Sequence, residues 1–143
     1  MPTAMPNDRD TSAYLYVRPG SDLPLHAARA ATTAAIDDAC AAGKRGVLVD
    51  FHEWHGVERP SLALRIDSVF EWAAAAEKVQ GFVMALVMPP QLVDPGRIGF
   101  IIGRRLGFNF DVFGALDEAR AWIETELAAL PPRDDDGFVL KPD

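Results

Sequence analysis

GVLVDF, residues 46–51, and FVMALVM, residues 82–88, decide how this chain folds. Each is a continuous apolar run of strand length. Neither alternates polar with apolar, as a strand with one wet face does, so both read as strands covered on both sides. Buried strands of this kind belong to parallel sheets, and a parallel pair needs a long crossover, usually a helix, between its members. The residues between the two runs supply one. Ser61–Val79 carries Leu62, Ile66, Val69, Ala73 and Ala76 at spacings of three and four, which predicts a helix with one apolar stripe.

The same alternation extends outward. Ala13–Val17 (AYLYV) is a strand candidate, and Pro24–Ala42 follows as a helix with Leu25, Ala28, Thr32, Ala35, Ile36 and Ala39 on one face and Gly43 as its stop. After the second run, PPQLVDPG must be a loop, because proline cannot serve a sheet interior. Pro95–Leu106 reads as a helix, although Gly96, Gly99 and Gly103 each cost it up to about 1 kcal/mol relative to alanine. Asn109–Phe113 is a short strand. Ala115–Leu130 is a helix with Leu116, Ala119, Ile123, Leu127 and Leu130 on one face, Asp117 and Glu118 in its first turn, and Pro131-Pro132 as its stop. The order βαβαβαβα predicts a single α/β domain over residues 13–130 with a mostly parallel sheet of four to five strands. Residues 1–12 and the acidic tail 131–143 are expected to be flexible, with Phe138, Val139 and Leu140 as an apolar island in the tail.

Composition narrows the function classes. The 143 residues suit one domain, and the net charge of −7 gives no electrostatic basis for binding nucleic acid. Cys40 is the single cysteine, which excludes an intrachain disulfide and a multi-cysteine metal site; among alanines it reads as a packed side chain. No apolar run approaches the ~18 residues of a membrane span, and MPTAMPNDRD lacks the layout of a secretion signal, so a cytoplasmic location is expected.

Ligands of parallel sheets bind beyond the carboxyl ends of the strands, where helix N-termini also point. That places the candidate rim in DFHEWHGVERP, residues 50–60, and in the loop after residue 88. The candidates for a ligand or partner are His52, His55, Glu58, Arg59 and Ser61 from the first loop and Gln91, Asp94 and Arg97 from the second. His52-Glu53-Trp54-His55 looks like the zinc motif H-E-x-x-H, but its histidines are three apart rather than four, and Gly56 opposes a helix there. No metal, cofactor or catalytic residue is assigned. The chain has no G-x-S-x-G elbow, phosphate loop or G-x-G-x-x-G. Gly99, Gly103 and Gly107, spaced by four, offer a flat helix face that could meet the domain's own sheet or a second subunit.

Several stretches together resemble the small bacterial SpoIIAA-like proteins of the STAS-like superfamily. They are VLVDFHEWHG, RPSLALRIDSVFEWAAAA, FVMALVMPPQLVDPGRIGF and DVFGALDEARAWI, and the likeness covers about residues 13–127. Its most specific pieces are Asp94-Pro95, Arg97 and Gly99, then Val112-Phe113, Glu118-Ala119 and Ala121-Trp122. The resemblance implies a sheet with helices packed mainly on one side; together with the lack of a nucleophile–base pair it motivates the expectation of a non-enzymatic regulatory or protein-interaction role, with a protein partner or a homodimer. In regulatory members, a phosphorylated serine after an aspartate opens the helix that follows the strand equivalent to 46–51. Ser61 is its positional counterpart, preceded here by Arg59-Pro60; the plain alternative is an N-cap serine.

Two other readings compete with an interaction role. One is a small-molecule or metal site at His52, His55, Arg59, Asp94 and Arg97, in which the arginines would favour a carboxylate or phosphate, with hydrolysis as a minor possibility. The other is an apolar ligand between sheet and helices, for which Met84, Met88, Phe100 and Phe108 are suited.

Overall fold

Val47, Leu48 and Val49 are fully enclosed, as an unbroken apolar run requires. They form the centre of β2 (Gly46–Asp50), which pairs in parallel with β3 (Val83–Val87), Gly46 opposite Val83 and Asp50 opposite Val87. The computed structural model describes residues 13–55 and 60–131. The N-terminal segment 1–12, Arg59, Glu58 and the apolar island at 138–140 lie outside the described residues. β1 (Leu15–Val17) pairs with β2 and β4 (Asn109–Phe113) with β3, giving an all-parallel four-stranded sheet in the order β1-β2-β3-β4.

The helices α1 (Leu25–Ala41), α2 (Leu62–Ala76) and α3 (Ile98–Arg105) join successive strands, and α4 (Leu116–Ala128) follows the last. A right-handed crossover that always steps to the next strand in the same direction delivers its helix to the same face each time. Ala28 and Ile36 of α1 and Val69 and Trp72 of α2 accordingly pack with Val47, Val49, Met84 and Phe110, and Ile102 of α3 joins them. With no further strand to reach, α4 covers the other face, where Ala119 and Ile123 meet Tyr14, Leu48, Val83, Ala85 and Val87. The helices are thus mainly on one side, three against one.

Two helices depart from their expected form. In α2 the buried face is Ser68, Val69, Trp72, Ala73 and Ala76, while Leu62 is exposed and Ile66 half-buried, so the helix is turned relative to the expected stripe. The indole of Trp72 takes the inner position; its N–H reaches Arg29 O at 3.5 Å, and its ring meets Phe110 edge-on. The third helix begins at Ile98 rather than Pro95. Asp94 dictates that delay: its carboxylate accepts the N–H groups of Gly96 at 3.0 Å and Ile98 at 3.1 Å, holding a turn in which Arg97 adopts a left-handed conformation, φ 54°.

The glycine-rich face of α3 lies on the domain's own strand. A Cβ on Gly103 would sit 3.1 Å from the carbonyl oxygen of Phe108, and one on Gly99 would sit 3.2 Å from the Phe110 ring. Close approach is therefore what these residues provide.

Gly46 tests the β2–β3 packing. A Cβ there would lie 2.9 Å from the Val83 carbonyl oxygen, inside the sheet where backbone cannot give way cheaply. Gly46→Ala is expected to destabilise the fold by about 1–3 kcal/mol. The check is a lowered urea midpoint with an unchanged m-value; an unaltered midpoint would contradict this packing.

Candidate functional site

The pleat divides the loop that leaves β2. Successive strand side chains point to opposite faces, so Asp50 continues the direction of Leu48 toward α4 while Phe51 continues that of Val49 toward α1 and α2. Everything tied to Asp50 is drawn to one face and everything packed on Phe51 to the other.

On the α4 side, the buried Asp50 carboxylate accepts three hydrogen bonds: the Tyr16 hydroxyl at 2.6 Å, the His52 backbone N–H at 3.0 Å and His52 Nδ1 at 2.7 Å. Burial pushes the Asp50 carboxyl up, but the hydrogen bonds from Tyr16 and His52 outweigh it and hold the group below the ordinary carboxylate range. Burial, reinforced by the bond to Asp50, pushes the Tyr16 phenol up to about 12. The Arg120 guanidinium lies over the Tyr16 ring, 5.0 Å from its centroid. Because a carboxylate only accepts, His52 Nδ1 carries a proton, and Nε2 faces outward, 3.7 Å from Glu53 Oε2. Glu53 pairs in turn with Arg18 at 2.7 Å. The arrangement braces the strand end with an oriented imidazole at the surface. Among the described residues, no group of three or more His, Cys, Asp or Glu is placed to hold a metal ion.

On the other face the same strand ends border a cavity of about 140 Å³. Phe51, Trp54, Val69, Trp72, Met88 and Phe110 make its apolar walls, with α1, α2 and α3 around it. Trp54 is fixed there by its indole N–H, which donates to Leu23 O at 2.7 Å, and by edge contact with Phe51. Five charged side chains line it as well: Arg29, Arg65, Asp94, Arg97 and Asp111. Arg29 is locked to Glu71, Arg65 Nη1 lies 3.2 Å from Asp94 Oδ2, and Arg97 Nη2 pairs with Asp111 Oδ2. Asp111 is itself buried on the edge strand β4, and its Oδ1 accepts the Val112 N–H at 2.8 Å, which satisfies an edge group that has no strand partner. The Arg97 guanidinium stacks on Phe100, 4.0 Å from the ring centroid.

The sequence-derived rim is therefore split. Asp94 and Arg97 line the cavity; His52 belongs to the Asp50 brace on the opposite face. His55 is exposed, its backbone N–H donating to Ser21 O at 2.6 Å, and Gln91 is exposed in a 3-10 turn, Pro90–Leu92. Ser61 caps α2, its hydroxyl accepting the Leu64 N–H at 3.1 Å, and Arg59 lies outside the described residues. Of the side chains suited to an apolar ligand, Met88 and Phe100 line the cavity, whereas Met84 and Phe108 do not. Sequence reasoning missed Arg65, Asp111 and Tyr16. Their signals were a cation one turn inside the capped helix, an aspartate inside a five-residue apolar strand, and a phenol in a strand two positions from a tyrosine.

A second depression, about 210 Å³, lies at the amino ends of β3 and β4 around the turns at Gly81 and Gly107, with Glu77 as its single charged side chain. It is larger but offers no converging polar groups. Cys40 is half-buried and its thiol is pushed up by burial, which makes it a poorer nucleophile than a free cysteine. No helix among the described residues is long and apolar enough to cross a membrane. Comparison with protein-family models, curated proteins and solved structures returned no match, so function rests on the geometry of the chain itself.

The Asp50 brace has a pH signature. A carboxyl held below its ordinary value stabilises the fold above that value, and the contribution is lost as pH falls through the folded value. Tyr16 contributes fully below pH 10.0 and loses its contribution as pH rises to about 12. Tyr16→Phe is expected to cost about 1 kcal/mol near neutral pH, to lessen the loss of stability on acidification because the Asp50 carboxyl moves back up without the phenol's hydrogen bond, and to remove the alkaline loss. Urea midpoints across pH check all three; identical acid limbs in the two proteins would contradict the assignment.

Proposed function

We propose that this protein is a binding domain for a small, largely apolar molecule, held between the sheet and α1, α2 and α3. The observation that carries the reading is the cavity of about 140 Å³ at the carboxyl ends of β2, β3 and β4, with two indole rings in its wall. Its size is close to the ~150 Å³ space that holds a benzene ring in another protein interior. Apolar walls with a few polar groups at one end are the usual make-up of a small-molecule site. A parallel sheet offers its ligands this edge.

Ala28 is buried at the cavity wall, so Ala28→Leu puts three more carbons into the space. Toluene at about tenfold excess over its Kd should stabilise the wild type by ~1.4 kcal/mol, a few degrees in Tm for a domain of this size. The shift should vanish in Ala28→Leu. No shift at toluene saturation, or an equal shift in the filled variant, would overturn the reading.

A second reading, the interaction role implied by the likeness to STAS-like domains, is favoured by a different observation. Leu62 and Phe70 of α2 and Ile101 and Leu106, in and just after α3, are large apolar side chains left exposed on neighbouring elements. Such surface is used for association with a protein partner or a second copy. Sedimentation should then give a mass above 15.6 kDa for the wild type and a monomer for Phe70→Asp. A wild-type monomer that captures no partner removes this reading.

A further inference from the structure

We propose that the ligand is a small amphipathic carboxylic acid, its apolar body against Val69, Trp72 and Phe110 and its carboxylate taken by Arg65 and Arg97. The inference rests on the apolar-ligand reading above and adds the chemistry of the head group.

A count of donors and acceptors at the polar end of the cavity carries it. Both oxygens of each aspartate there are already engaged. Asp94 Oδ1 accepts the Gly96 N–H at 3.0 Å, and its Oδ2 accepts the Ile98 N–H at 3.1 Å and faces Arg65 Nη1 at 3.2 Å. Asp111 Oδ1 accepts the Val112 N–H at 2.8 Å, and its Oδ2 takes Arg97 Nη2. The guanidinium groups are in the opposite condition. Each has five N–H bonds, and these two engage the aspartates through one nitrogen apiece. Arg65 Nε is buried and has no hydrogen-bond partner. Arg29, the third arginine of the lining, differs: its Nε and Nη2 both meet Glu71 Oε1, at 2.9 and 2.7 Å, so its fork is committed.

The cavity mouth therefore has more unengaged donors than acceptor positions. A planar, negatively charged group with two acceptor oxygens is the complement of a guanidinium edge. The Arg65 side chain keeps 30% of its exposure and that of Arg97 51%, so both can turn to present an edge that now faces elsewhere. An amine would add donors and positive charge where donors are already in excess.

The backbone at Arg97 points the same way. It is the one non-glycine residue with positive φ among the described residues, a conformation that costs about 1–2 kcal/mol and that glycine adopts freely. What arginine has and glycine lacks is the guanidinium, held over Phe100 at the cavity mouth. Asp94 serves as the hub: it holds the turn that places Arg97 and it meets Arg65.

The test is a calorimetric titration of the full chain with 3-phenylpropanoate, 3-phenylpropan-1-ol and 3-phenylpropylamine, which share one apolar body. The acid should bind the wild type at least about tenfold tighter than the alcohol, with the amine weakest. The acid-over-alcohol ratio should fall toward one in Arg65→Met and, independently, in Arg97→Met. A cavity merely collapsed by substitution would weaken acid and alcohol together and leave the ratio unchanged. Equal binding of acid and alcohol to the wild type overturns the inference and leaves the apolar-ligand reading standing, as does a ratio that survives both substitutions. Binding of none of the three overturns both.

Discussion

The parallel pairing of β2 with β3 is the constraint on which the rest of the molecule depends. It places Asp50 opposite Val87 and so brings the two loops that leave these strands to one edge. The pleat of the same strands then sorts their side chains by parity. Phe51 goes to the face covered by three helices, where Trp54 of the following loop packs against it, and Asp50 with its partners to the face covered by α4. One register thus yields two chemically different neighbourhoods at one edge, an apolar cavity with a charged mouth and a saturated polar brace.

The two neighbourhoods differ in what they leave unsatisfied. At Asp50 the carboxylate takes three hydrogen bonds, and His52 Nε2 faces Glu53 and solvent. Saturation of that kind fixes a strand end and rigidifies the loop beyond it. At the cavity mouth the acids are filled by backbone N–H groups belonging to the turn at Asp94 and the edge of β4, so the arginines are held by acids that have little more to accept. The turn and the strand edge take up part of the acceptor capacity there, while Arg65 Nε is buried without a hydrogen-bond partner.

Much of the fold was legible in the sequence because it depends on coarse periodicity. The unbroken runs at 46–51 and 82–88 required strands covered on both faces, and β4 occupies Asn109–Phe113 as its composition predicts. Details set by single side chains were harder. The expected stripe of α2 holds at Val69, Ala73 and Ala76 but not at Leu62 and Ile66, because the large indole of Trp72 and the small Ser68, whose hydroxyl returns to Leu64 O at 2.8 Å, take the inner face in their place. The start of α3 falls at Ile98 rather than the expected Pro95, because the Asp94 carboxylate holds the N–H groups of Gly96 and Ile98 in a turn. The candidate site was legible only in part, since proximity in sequence does not survive the pleat. His52 follows Asp50 to one face, while Asp94 and Arg97 meet Arg65, which lies on the α2 stretch and carried no loop signal.

Xenon binding followed by methyl NMR tests the central claim most directly, because xenon enters an apolar cavity of this size without any polar requirement. Under xenon pressure, the methyl signals of Leu64, Val69, Met88 and Ile98 at the cavity wall should shift and saturate, while those of Val83 and Val87 beneath α4, and of Ile123 on its inner face, stay in place. Shifts confined to the α4 face, or none at any pressure, would contradict a ligand site on the face covered by α1, α2 and α3.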